Sequence, residues 1–231
     1  MLLKINPYEI IHQIFVSNFG LEKYSHIIKH VNQVNIAENR EFQKRFNGFY
    51  RVRRDEAWQE QFYGFFETAK VQNPSFDEII EELYHRTGRI EASFSSKMLA
   101  NIDDSKPIWD SFVLNALDFK NPLPSMPKLE QMKRKIEIYH KIDRWYMDYL
   151  KTENAQECIA KFNEKMCIRD RQRCRQGGHR SKKEKESRET PRGLYARAGC
   201  GISAEGSLSQ ALSLRAIVFK TCRQGRFFCR K

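Results

Sequence analysis

"KLEQMKRKIEIYHKIDRWYMDYL", residues 128–150, decides the fold class. Leu129, Met132, Ile136, Tyr139, Ile142, Tyr146 and Tyr149 recur at spacings of three and four, which places them on one face of an α-helix. The same period returns upstream. Asn6, Pro7 and Glu9 supply an N-cap, a first-turn proline and a capping-box partner ahead of Ile10, Ile11, Ile14 and Phe15, with Gly20 as the stop. Tyr24, Ile27, Ile28, Val31 and Val34 define a second helix, and Phe42, Phe46, Phe49 and Tyr50 a third. Asp55 starts a fourth lined by Trp58, Phe62, Phe65, Phe66 and Ala69, and Ser75 with Glu78 makes a capping box for a fifth that Gly88 ends.

Further helices are predicted from about Glu91 to Ile102, from Asp110 as a cap, and from Thr152, the last bearing Cys158, Ile159 and Phe162. "NPLPSMP", residues 121–127, is a proline-punctuated connector. No alternating run of β-branched residues is long enough for a strand. The expectation is an all-α domain, an orthogonal bundle of about eight helices, with Trp58, Trp109 and Trp145 buried in one core.

Charge divides the chain in two. Of 41 lysines and arginines and 29 aspartates and glutamates, 24 of each sign lie in residues 1–165, which are neutral. The remaining 17 basic and 5 acidic residues give residues 166–231 the whole net charge of +12. Cysteine follows the same boundary: Cys158 alone precedes it, while Cys167, Cys174, Cys200, Cys222 and Cys229 follow. Their spacings give no Cys-x-x-Cys pair, so no zinc site is expected. The tail has no sustained period, although Ser209–Phe219 suits one short helix or strand. A basic arm that binds nucleic acid is one meaning of such a block.

Met166–Arg171, "MCIRDR", also resembles the translation of the transposase adaptor used in sequencing libraries, in the frame ATG-TGT-ATA-AGA-GAC-AG. That resemblance implies that residues 166–231 are an artefactual read-through tail, expected to be disordered and not to pack against the head. It implies too that the last helix is interrupted there and that the domain, residues 1–165, is truncated at its C-terminal end. The first residues are too polar for a signal peptide, no apolar run reaches membrane-spanning length, and one head cysteine allows no disulfide framework, so a cytoplasmic protein with no membrane is expected.

Few residues offer chemistry. No nucleophile elbow, zincin, P-loop or dinucleotide motif is present, and no cofactor is expected. His26 and His30 form a helical i, i+4 pair that suits either a metal or a solvated face. "FYRVRRDEAW", residues 49–58, sets Arg51, Arg53 and Arg54 beside Tyr50 and Trp58, an arrangement suited to phosphate contact and base stacking. The same residues suit a capped helix start whose arginines pair with Asp55, Glu56 and Glu60.

"GRIEASFSSKMLANIDDSKPIWDSFVLNAL", residues 88–117, has a glycine turn, a small-residue helix and an aspartate opening another helix. In that order the segment resembles the helix-hairpin-helix DNA glycosylases, with one glycine where their hairpin has two and a short interval from lysine to aspartate. The resemblance implies duplex DNA as partner, with backbone contact at Gly88 and Arg89. It also implies a catalytic role for Asp110, which would stabilise positive charge on the sugar as the base leaves, and for Lys97 as a nucleophile. Trp109 and Phe112 would form a stacking wall for an extruded base. Without catalysis, Asp110 is a helix cap, Lys97 reaches the surface from an amphipathic helix and Trp109 fills core. The chain is then a non-enzymatic helical module that binds an unknown protein. "FNGFYRVRR", "EASFSSKMLA" and "KPIWDSFVL" also resemble an uncharacterised bacterial family, which implies a bacterial cytosolic protein and no particular activity.

Overall fold

A computed structural model describes residues 6–16 and 20–184, and all regular structure among them is helical. In chain order the helices are α1 (Pro7–Val16), α2 (Leu21–His30), α3 (Arg40–Tyr50), α4 (Glu56–Gln72), α5 (Phe76–Thr87), α6 (Ala92–Ile102), α7 (Ser111–Ala116), α8 (Lys128–Leu150) and α9 (Glu153–Glu184). Nine helices among the described residues stand against about eight expected.

The capping chemistry forms as the sequence requires. Asn39, Asp55 and Asp110 accept hydrogen bonds from Phe42, Trp58 and Phe112 at the starts of α3, α4 and α7. Both bonds of the Ser75–Glu78 capping box are made at α5. Gly88 ends α5 in the left-handed region at φ 67°, its N–H 2.8 Å from the Tyr84 carbonyl. Gly20 takes the same region at φ 76° but opens α2 as well as following α1.

One apolar core joins these elements. Phe46, Phe62, Phe66, Ile79, Ile80 and Leu83 are fully buried where α3, α4 and α5 meet. α6 packs on α4 and α5, α8 packs on α5, and α9 packs on α1 and α8. Tyr139 of α8 stacks on Phe76 at 3.7 Å between centroids and donates to the Pro107 carbonyl, tying α8 to α5 and to the α6–α7 loop. Trp58 and Trp109 lie in the core at 5 % exposure each, whereas Trp145 is half-buried and stacked on Tyr149. Leu129 is 61 % exposed, so the buried face of α8 starts at Gln131 and Met132.

The last helix departs from expectation. Instead of stopping near Lys165, α9 continues unbroken to Glu184. Arg, Gln and Lys are good helix formers, and between Met166 and Glu184 no proline and only Gly177 and Gly178 oppose them. Met166 extends the buried stripe of Ala155, Cys158, Ile159 and Phe162, and the Arg169 guanidinium lies 5.7 Å from the Phe15 ring centroid, so the first turn past the junction touches α1 and the core. The tail beyond Glu184, with Ser209–Phe219 and three of its cysteines, lies outside the described residues.

Candidate nucleic-acid interface

Three helix ends converge beside the Gly88 turn. Arg54 immediately precedes the Asp55 cap of α4, Gly88–Glu91 links α5 to α6, and Lys128, Gln131 and Lys135 lie on one face of α8 at i, i+3 and i+7. Together with Ile90 these residues enclose a cleft of about 370 Å³. Four cationic side chains line it against one carboxylate, that of Glu91. Arg54, Gly88 and Arg89, expected to contact nucleic acid, are thus brought together.

Glu91 organises the cleft. It is 7 % exposed, and Arg54 donates to both of its oxygens, from Nε at 2.9 Å and from Nη2 at 3.2 Å. Such a bidentate pair fixes the guanidinium plane. The Arg54 guanidinium also lies 5.9 Å from the Trp58 ring and 5.8 Å from the Phe94 ring, so it is held from its edge and from the core aromatics. Arg89 approaches the same carboxylate at 3.3 Å but is 58 % exposed along its side chain. Lys135 donates to the Ile90 carbonyl at 3.2 Å. Burial lowers the Lys135 pKa, with Glu91 pulling it up and Lys128 pushing it down.

Arg51 and Arg53 do not line the cleft. Both are exposed on the segment leading to it, Arg51 in the left-handed region at φ 54°. The expected pairing of this cluster with Asp55, Glu56 and Glu60 is replaced: Asp55 caps α4, Glu56 lies 3.9 Å from Arg40, and Arg54 reaches Glu91.

Lys97 and Asp110 lie outside the residues that line the cleft. Lys97 of α6 is 9 % exposed, and its Nζ donates to Ser93 Oγ at 2.9 Å while lying over the Phe94 and Tyr50 rings at 5.0 and 5.6 Å. Ser93 Oγ in turn donates to the Trp109 carbonyl at 3.2 Å, which places the lysine one hydroxyl away from the backbone that leads into Asp110. Burial lowers the Lys97 pKa, and Asp110 and Glu91, in that order, oppose the shift. Asp110 therefore both caps α7 and supplies the largest favourable field at the buried amine.

Trp109 has its ring in the core at 5 % exposure, which leaves it no open face for a base, and its backbone N–H donates to Ser96 Oγ at 2.8 Å. Phe112 is 37 % exposed next to the cap. His26 and His30 stack on each other at 3.8 Å, and burial and the neighbouring His30 lower the His26 pKa. Among the described residues no three His, Cys, Asp or Glu side chains gather as a metal site, and no helix is long and apolar enough to cross a membrane.

Sequence reasoning missed Glu91, Lys128, Gln131, Lys135 and Ser93. The i, i+3, i+7 stripe on α8 could have marked a polar face, but nothing local says which turn it meets. The chain matches no protein-family model, no curated protein and no solved structure in the three comparisons made.

Proposed function

We propose that the chain is a helix-hairpin-helix-like DNA-binding protein that holds backbone phosphates at the Gly88 cleft. One observation carries this: Arg89, Lys128 and Lys135 converge on a turn that Arg54 and Glu91 hold in place. Phosphate contacts of this kind bind and orient a duplex without reading its bases. The finer form is base excision, supported by the Asp110 carboxylate whose field reaches the buried Lys97 amine. In that role Asp110 stabilises the sugar cation as the base departs and Lys97 attacks the sugar.

The basic tail would bind DNA by itself, so the test uses a chain ending at Arg169, which keeps Met166 against the core and Arg169 against Phe15 of α1. Its duplex affinity should fall with salt at a log-log slope of about −0.9 per phosphate contacted, and Arg89→Ala should reduce that slope by about one contact. Asp110→Asn should leave binding intact and abolish release of bases from duplexes carrying alkylated, deaminated or oxidised bases. Borohydride should trap a covalent adduct on abasic DNA in the parent chain and not in Lys97→Met. A chain that binds no duplex at low salt overturns DNA binding and favours a protein-interaction module; one that binds but releases no base overturns only the excision step.

A further inference from the structure

The charges of the cleft are unequal in freedom. Arg54 and Glu91 form a bidentate pair whose arginine also rests on two core rings, so those two charges neutralise each other and stay in place. Arg89, Lys128 and Lys135 remain as a surplus of three cations around one concavity. A nucleic-acid backbone presents one charge per phosphate along a continuous line. A phosphate monoester instead concentrates nearly two charges on three terminal oxygens at neutral pH. A volume of about 370 Å³ falls at the small end of ligand pockets, which run from about 300 to 1,000 Å³.

The wall nearest the turn favours close approach. Gly88 has no side chain, and a Cβ built there meets nothing within 4 Å, so the space beside its backbone is open. Arg89 lies largely in solvent and can turn from the Glu91 edge toward a ligand without unpacking core. Lys135 is half-buried and donates to the Ile90 carbonyl, so an anion beside it would replace lost hydration.

We propose that the cleft takes a phosphate monoester, with Arg89, Lys128 and Lys135 on the terminal oxygens and the Arg54–Glu91 pair as their fixed support. The ligand is either the terminal phosphate of a nucleic-acid strand or a free mononucleotide. This rests on the assignment of the cleft as a phosphate site of a DNA-binding protein and names the kind of phosphate.

Three duplexes of one sequence distinguish the possibilities when titrated against the full chain: intact, nicked with a 5′-hydroxyl, and nicked with a 5′-phosphate. Contributions from the basic tail cancel in their ratios. The 5′-phosphate nick should bind about tenfold tighter than the hydroxyl nick, roughly one added charge-assisted contact. The ratio should shrink as pH is lowered from 7.5 to 5.5, because the monoester loses its second charge near pH 6. Lys135→Gln should bring the ratio to about one, weakening binding of the 5′-phosphate nick more than that of the hydroxyl nick. Lys128→Gln, at an exposed position, should reduce the ratio in the same direction if the Lys135 variant fails to fold.

Adenosine monophosphate that binds, with adenosine failing to, and competes away the nick preference supports the monoester and identifies the free nucleotide as its source. Equal affinity for all three duplexes, still weakened by Arg89→Ala, overturns the monoester and keeps duplex binding at the cleft. Affinity that neither Arg89→Ala nor Lys135→Gln changes overturns both.

Discussion

Lys97 carries a charge that its surroundings oppose. Its amine sits between two aromatic faces with one hydroxyl partner, and burial outweighs the fields of Asp110 and Glu91, so its folded pKa lies below the ordinary lysine value of 10.5. Between the folded and unfolded values the unfolded chain holds more protons, and stability rises with pH across that interval. The parent chain should therefore gain stability relative to Lys97→Met as pH is raised from 7 towards 10.5. Urea midpoints of both chains at pH 7 and pH 10 measure it, and parallel changes would mean that the amine is solvated. Gly88 makes a second residue-scale case. Its φ of 67° costs an L side chain about 1–2 kcal/mol, and an added Cβ meets no neighbour, so Gly88→Ala should lose about that amount and no more. A loss well beyond it would reveal a steric role that the open space beside the turn excludes.

Helices here begin where short polar side chains satisfy the first N–H groups. At α5 the Ser75 hydroxyl accepts from Glu78 N–H and the Glu78 carboxylate accepts from Ser75 N–H at 2.7 Å. The Ser75 N–H and then the Ser75 hydroxyl, which donates to the same carboxylate oxygen at 2.8 Å, lower the Glu78 pKa. Ser75→Ala should cost about 1 kcal/mol in chemical denaturation and move the Glu78 pKa upward in an NMR titration. α4 shows what its buried face is worth. Trp58 stacks on Phe62 at 4.9 Å and contacts Phe94, joining α4 to α6 beneath Arg54. Trp58→Ala should cost about 3–5 kcal/mol and loosen the arginine with it, while a change under 1 kcal/mol would contradict its place in the core.

The whole molecule closes through its last helix. Ala155, Cys158, Ile159 and Phe162 are buried, and Phe162 meets Phe15 of α1 at 5.6 Å between centroids. A chain ending at Leu150 leaves the apolar faces of α1 and α8 without this cover and should not melt cooperatively. A chain ending at Lys165 keeps those four residues, loses Met166 and Arg169, and should stay folded with a lower melting temperature. Circular dichroism melts of the two separate a structural α9 from a dispensable one. They also locate the end of the folded unit relative to the "MCIRDR" stretch, residues 166–171.

Short-range patterns were legible in the sequence. The 3.6-residue period, the caps at Asp55, Ser75 and Asp110, and the stop at Gly88 involve residues at most a turn apart, so composition and spacing suffice to state them. Leu129 shows the limit of that approach: its spacing fits the period, yet it is 61 % exposed, and the buried residues of α8 start at Gln131 and Met132. The junction shows another, since a marked change of composition did not stop a helix whose local propensities allow it to continue. The cleft belonged to the tertiary structure alone. Arg54 meets Glu91 across 37 residues and Lys135 meets Ile90 across 45, and only packing of α6 on α4 and of α8 on α5 sets such pairs face to face. Sequence thus determined the helices and most of their ends, whereas burial and long-range contact decided which charges rest on the core, which stay nearer the surface, and that they surround one turn.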